Sequence, residues 1–212
     1  MKTTFINQQG EHLILYFAGW GAPIELVSHL ILPENHDLLI CSDYRNLDFN
    51  VDLTHYQNMY LVAWSMGVWV AEQVIDFKLK SATAINGTSH PRHNQWGIPE
   101  VIFDGTLASL DADNYQKFVR RICGNRTNLQ HYLAHPQRDF VEIKQELECL
   151  AKFLPSSKPS QFSWTKAIIG EQDRIFPVDN QLDFWQQKNV SIHLLEAPHY
   201  LFVQYQSWNE LC

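Results

Sequence analysis

Six short stretches of this 212-residue chain are rich in consecutive apolar residues, and they limit its fold more than any other feature. They are HLILYFAG (12–19), HDLLICSDY (36–44), NMYLVAW (58–64), SATAING (81–87), WTKAIIG (164–170) and VSIHLLE (190–196). A strand with one wet face alternates apolar and polar residues. A strand buried on both faces does not, and it reads as an unbroken run. Helix-like segments separate the runs. GAPIELVSHLI (21–31) reads as a helix, and VWVAEQVIDF (68–77) places Val68, Ala71, Val74 and Ile75 on one face. Further helices are expected around 178–188 and from about Leu201 to the end. Buried strands alternating with helices predict an α/β fold with a mostly parallel sheet covered on both faces.

The alternation stops at His90 and resumes after PSSKPS (155–160). Between them the signals are mainly helical. Asp113 is a candidate cap for a helix running to about Ile122, and DFVEIKQELECLAKFL (139–154) carries Ile143, Leu147, Leu150 and Leu154 on one stripe. The reading is therefore a core of residues 1–89 and 160–212 with a helical lid inserted at 90–159. Such an insertion is expected over the carboxyl ends of the strands, where open α/β sheets bind ligands. The 143–154 stripe, with Phe153 beside it, either walls a channel or packs the lid onto the body.

The formal net charge of −7 argues against a nucleic-acid binder. The charge is uneven, however. Residues 90–160 carry nine Lys/Arg and eight Asp/Glu, while the remainder carries seven and fifteen. Within 115–138 there are five basic residues and no acid, which suggests an acidic partner. No apolar stretch approaches the ~18 residues of a membrane span, and MKTTFINQQGEH has no apolar leader core. Cys41, Cys123, Cys149 and Cys212 form no CxxC pair, which argues against a disulfide framework or structural zinc. The expectation is a cytoplasmic monomer without metal or cofactor.

VAWSMGVWVA (62–71) places Ser65 where a strand-like run meets a helix-like one. Ala63 and Gly67 are small, as a sharp strand–turn–helix elbow around a nucleophile requires. The competing reading is a helix N-cap. A nucleophilic hydroxyl needs a base, and the base needs an orienting carboxylate. Asp173 follows the run at 164–170 and His199 follows the run at 190–196. The three residues therefore come in the order Ser, acid, His, each after the carboxyl end of a strand. Asp179 is the rival acid, but it stands at the start of the next helix. Of the other histidines, His193 lies inside the last strand and reads as structural, while His90 and His93 stand at the lid entry with either role open. The backbone N–H groups of Trp20, in the loop AGWGAP, and of Met66 are the candidate oxyanion donors.

FAGWG, AWSMG, GEQDRIFP and APH together resemble the α/β-hydrolase superfamily over nearly the whole chain. Trp20 after the first glycine and Trp64 before the serine resemble, more narrowly, the pimeloyl-acyl carrier protein methyl ester esterases of the biotin pathway, and the small size and A-x-S-x-G elbow resemble the compact BioG type. The resemblance implies hydrolysis of the methyl ester of a pimeloyl chain held on acyl carrier protein, with release of methanol. It implies Ser65, Asp173 and His199 as the catalytic residues, with Trp20 in the oxyanion loop and also at the substrate and Trp64 lining the acyl site. Ala18-Gly19 stands where the superfamily opens its oxyanion loop with His-Gly, so this loop keeps its backbone donors without that side chain. Acyl carrier proteins are acidic. Lys117, Arg120 and Arg121 share one helix face at i, i+3, i+4, and Arg126 and Arg138 are candidates to extend it; a merely solvated basic helix is the other reading. A different ester, thioester or lyase substrate on the same fold stays open, as does a carrier-binding module without catalysis.

Overall fold

The structure, a computed structural model, describes residues 1–212. Seven strands form one sheet: β1 (Lys2–Ile6), β2 (His12–Phe17), β3 (His36–Ser42), β4 (Asn58–Trp64), β5 (Ser81–Ile85), β6 (Lys166–Gly170) and β7 (Ser191–Leu195). Their order is β1-β3-β2-β4-β5-β6-β7. Only the β1–β3 pair is antiparallel. The six apolar runs are the six parallel strands, and β2 to β6 are buried along most of their length.

The seventh strand, β1, was not anticipated. Its sequence KTTFI has no apolar run, and all five residues are exposed because the strand lies at a sheet edge. Two expected helices are absent. Residues 21–31 form only a 3-10 turn over Ile24–Val27, and the C-terminal segment forms two more, Phe202–Gln204 and Trp208–Glu210. Beyond these short local turns, the two segments bond to one another. Ile31 N–H donates to the Gln206 carbonyl (2.8 Å), and Trp208 N–H donates to the Ile31 carbonyl (3.2 Å). Backbone groups satisfied across two loops have no need of a helix.

Six α-helices complete the fold. α1 (Met66–Val74) follows β4 and α6 (Val178–Trp185) follows β6. Between β5 and β6 the chain inserts α2 (Glu100–Ala108), α3 (Ala112–Cys123), α4 (Arg126–Leu133) and α5 (Phe140–Phe153). Asp111, not Asp113, caps α3, and Asp139 caps α5. The stripe on α5 packs inward: Ile143, Leu147 and Leu150 join the same buried apolar core as Val62 and Ile168 of the sheet. This burial is the main favourable term holding the insertion to the sheet.

An ion network bolts the β1 edge to the insertion. Asp43, just past β3, accepts from Lys2 Nζ of β1 (2.9 Å) and Arg45 Nη2 (2.7 Å). Arg45 also meets Glu142 of α5 (2.9 Å). Burial opposes ionisation of Asp43, but the bonds from Arg45 and Lys2 outweigh it and hold the carboxyl well below the usual carboxylate range. A depressed folded-state pKa stabilises above the unfolded value near ~4, and that stability is lost as the pH falls through the folded value. Asp43→Asn is expected to lower the unfolding free energy by roughly 1.5–3 kcal/mol at about pH 7. The gap to wild type should narrow steadily in denaturant titrations taken down to about pH 2. A gap that stays constant over that range would refute the role given to Asp43.

Candidate active site

The exit loops of the parallel strands meet at one edge of the sheet. β4 ends at Trp64, Ser65 follows at φ +58° and ψ −125°, and α1 begins at once. A non-glycine residue at positive φ costs of order 1–3 kcal/mol and persists only where its surroundings fix it. They do so here. A Cβ on Gly67 would lie 2.3 Å from the Phe17 carbonyl oxygen, and one on Gly87 would lie 2.5 Å from that of Ser65. The elbow thus closes because both neighbours lack side chains. Ser65 N–H is tied to the Ile85 carbonyl of β5 (2.9 Å). Its hydroxyl makes no cap bond to α1, so the N-cap reading of this serine fails.

The hydroxyl instead meets His199 Nε2 at 2.9 Å, and His199 Nδ1 meets Asp173 Oδ2 at 2.8 Å. A carboxylate can only accept, so Nδ1 donates and Nε2 is left to accept from the serine. All three residues are buried. Trp64 and Phe176 pack against the imidazole, with ring centroids at 5.3 Å and 6.1 Å. The Asp173 carboxylate is fully used: Oδ1 accepts from the N–H groups of Ile175 (2.8 Å) and Phe176 (3.1 Å), and Oδ2 also accepts from Gln181 Nε2 (3.1 Å). A hydroxyl donating to a neutral imidazole, itself held by a carboxylate, is the arrangement that activates a serine for attack on a carbonyl.

Two supports escaped the sequence reading. Gln181, fully buried on α6, also donates to the Phe176 carbonyl (2.9 Å) and so clamps the Asp173 loop. Asn86, at φ +46° just past β5, donates to the His199 carbonyl (2.9 Å) and accepts from Gly170 N–H (2.7 Å). It thereby fixes the His199 loop against β6. No periodicity marks a single Asn or Gln. The only available signal was the position of Asn86 at a strand end beside Gly87. Asp179 is exposed in the first turn of α6 and takes no part. His193 lies on the edge strand β7 beside Ser191. His90 and His93 pack against Trp96.

Over Ser65 lies a cleft, partly open to solvent, lined by Trp20, Trp64 and Met66 on the sheet side. The insertion supplies Ile102 and Phe103 from α2, Phe118, Arg121 and Ile122 from α3, and Leu147 from α5. Arg174 and Ile175 complete it beside His199. Phe153 is not among the lining residues. Trp20 and Trp64 both reach the cleft, and both indoles are also structural. Trp20 Nε1 donates to the Ile143 carbonyl (2.8 Å) and Trp64 Nε1 to the His199 carbonyl (3.0 Å). The backbone N–H of Trp20 makes no hydrogen bond within the protein. That of Met66 opens α1, where the first N–H groups have no partner in the helix. No group of three His, Cys, Asp or Glu is placed to hold a metal ion.

Lys117, Arg120, Arg121 and Arg126 are exposed on α3 and α4, and no carboxylate pairs with any of them. Arg138 does not extend that face. Its guanidinium turns inward, 2.6 Å from Glu146 and 3.4 Å from Asp43. Glu146 is fully buried; burial pushes its carboxyl up and Arg138 opposes the rise. A buried acid needs a counter-ion, and Arg138 serves it instead of facing solvent.

With this geometry in view, comparison with known proteins is specific. The family described as pimeloyl-ACP methyl esterase BioG matches residues 1–211. The crystal structure of selenomethionine BioG from Haemophilus influenzae superposes with a TM-score of 0.97 at 47% identity, covering 100% of this chain and 99% of that one. A malonyl-[acyl-carrier protein] O-methyltransferase of Bacteroides fragilis is 46% identical over 192 residues, 88% of this chain, which spans only 39% of that longer protein. A lipase-esterase related protein of Clostridium acetobutylicum, at 17% identity and a TM-score of 0.64 over 95% of this chain and 93% of that one, shares the fold. The chain belongs to the BioG family of pimeloyl-ACP methyl esterases and has the α/β-hydrolase fold.

Proposed function

We propose that this protein hydrolyses the methyl ester of a pimeloyl chain carried on acyl carrier protein, giving pimeloyl carrier protein and methanol for biotin precursor synthesis. The observation that carries the reading is the unbroken Ser65–His199–Asp173 relay at the base of an apolar cleft. An apolar cleft suits a saturated chain, and a hydroxyl at its base suits an ester at the far end of that chain. The Bacteroides fragilis relative supports the substrate class. A methyl ester on an acyl carrier protein is the kind of bond its name assigns to it to form, and it is the kind of bond an esterase cleaves.

In this mechanism the ester carbonyl lies against Ser65. His199 Nε2 takes the hydroxyl proton as Oγ attacks, and Asp173 holds the imidazolium through Nδ1–H. The oxyanion is met by the N–H groups of Trp20 and Met66. His199 returns the proton to the departing methoxide, and methanol leaves. Water then attacks the acyl-enzyme, giving its proton to His199, which restores the serine hydroxyl as the pimeloyl acid is released. General-base assistance of this kind contributes about 10²–10⁴-fold. Trp64 and Trp20 wall the acyl chain. The unpaired cations Lys117, Arg120, Arg121 and Arg126 face the acidic carrier, and the reaction is assigned to the cytoplasm.

Ser65→Ala is expected to lower turnover of methyl pimeloyl carrier protein by about 10⁴-fold or more. The mass of the carrier is the readout: with wild type it falls as the ester becomes an acid, and with the variant it stays. Near-normal cleavage by the variant would remove Ser65 from the mechanism. Cleavage of p-nitrophenyl esters but not of methyl pimeloyl carrier protein would keep an esterase of a different substrate.

Carrier docking is tested separately. Arg120→Glu with Arg126→Glu, neither of which lines the cleft, should lower kcat/KM on carrier-bound substrate by about tenfold or more and leave a p-nitrophenyl ester unaffected. The defect should shrink as salt is raised, because exposed charges are screened. Equal loss on both substrates would mean that the insertion had been disturbed instead.

A further inference from the structure

The loop Ala18–Ala22, on which the proposed oxyanion hole depends, has little of its own to hold it still. Among its five side chains only that of Trp20 carries a polar atom, and that indole is bound to the Ile143 carbonyl of α5. Gly21 sits at φ +68°, where a side chain would be strained. A Cβ there would lie 2.9 Å from the Tyr115 hydroxyl and 3.1 Å from Ile143. The insertion therefore packs directly on this loop.

Gly21 is gripped through both its N–H and its carbonyl. Its N–H donates to Glu146 Oε2 of α5 (3.3 Å), and its carbonyl accepts from the Tyr115 hydroxyl of α3 (3.0 Å). Glu146 Oε1 accepts from Tyr44 N–H (3.0 Å), and the Tyr44 hydroxyl donates to the Ala18 carbonyl (2.7 Å). Arg138 Nη1 reaches Glu146 Oε2 at 2.6 Å. A carboxylate with no exposure is costly unless its acceptor sites are filled. Here they are filled by a counter-ion and by backbone N–H groups from two strand-exit loops, one of them adjacent to the free N–H of Trp20.

We propose that Glu146 is a positioning residue for the reaction, fixing the Gly21 peptide and through it aiming the Trp20 N–H at the oxyanion, with Tyr115 as its companion on the carbonyl side. The inference rests on the esterase reading above. On it, α3 and α5 are fixed parts of the site, because undocking either would release the loop.

The test uses hydrolysis of p-nitrophenyl butyrate, which needs no carrier protein, well below the thermal transition of each variant. Glu146→Gln should lower kcat about tenfold or more while KM stays within about twofold, since the lost interaction matters only once the oxyanion forms. The rate of Ser65 labelling by a p-nitrophenyl alkylphosphonate, whose adduct places an oxygen in the same hole, should fall by a similar factor. Glu142→Gln removes an acid from the same helix that pairs with Lys2 and Arg45 and bonds no atom of the loop; it should behave as wild type. If Glu146→Gln does not fold, Tyr115→Phe takes its place, with a several-fold loss of kcat at unchanged KM expected. Unchanged kcat in the folded variant, or a raised KM alone, overturns the assignment. A wild type that neither cleaves the ester nor reacts with the phosphonate overturns the esterase reading, and this inference with it.

Discussion

At the carboxyl edge of the sheet, four exit loops are hydrogen-bonded to the strand beside them, and the site depends on that lacing. Ala18 N–H reaches the Cys41 carbonyl, Ser65 N–H the Ile85 carbonyl, Asn86 N–H the Ile168 carbonyl and Glu171 N–H the Leu195 carbonyl. These bonds carry the parallel ladder one residue past each strand. They place the loops after β2, β4, β5 and β6 in fixed register. A one-residue slip in any of them would turn its functional side chain to the opposite face. The relay distances of 2.8 and 2.9 Å are a consequence of strand register before they are a property of three side chains.

Such a site has costs, and the fold meets them locally. Three polar side chains are buried together, which is unfavourable unless each is bonded. Asp173 has about four acceptor sites, and Ile175, Phe176, Gln181 and His199 each fill one. The strained Ser65 backbone is held by close packing of Gly67 on Phe17 and of Gly87 on Ser65. Loops that carry function are commonly the mobile parts of a protein. Here the exit loops are tied down by hydrogen bonds to neighbouring strands and loops, which suits a catalyst that relies on preorganised dipoles.

How much of this was legible in the sequence follows from the range of the forces involved. Strands β2 to β6 could be read because burial writes itself locally as an apolar run, β7 could be read from its apolar run although it lies exposed at the sheet edge, and Ser65, Asp173 and His199 each follow such a run. The edge strand β1 could not, since pairing on one side only asks nothing of its composition. The segment 21–31 has helical spacing, yet its partners are the loops near Gln206 and Trp208, at the other end of the chain. Arg138 was read as part of a basic surface because its neighbours are basic. Its true partners, Glu146 and Asp43, are brought to it only by folding. Asn86 and Gln181 act through single hydrogen bonds that leave no pattern.

The helix α3 shows why the insertion and the site cannot be treated apart. Its inner face carries Tyr115, Val119 and Ile122, which are buried, and Phe118, which lines the cleft. Its outer face carries Lys117, Arg120 and Arg121. An α-helix with its side chains is about 10–12 Å across. A partner resting on the outer face therefore lies within one helix diameter of the cleft, while the inner face holds the Gly21 carbonyl through Tyr115. Arg121 belongs to both faces: its guanidinium lies 5.9 Å from the centroid of the Phe118 ring, and it lines the cleft from the solvent side. A single amphipathic helix thus joins a charged exterior to the loop beside the nucleophile. Because the inner face of α3 is anchored both by packing and by the Tyr115 bond to Gly21, the charge it presents outward is held in a fixed place relative to Ser65.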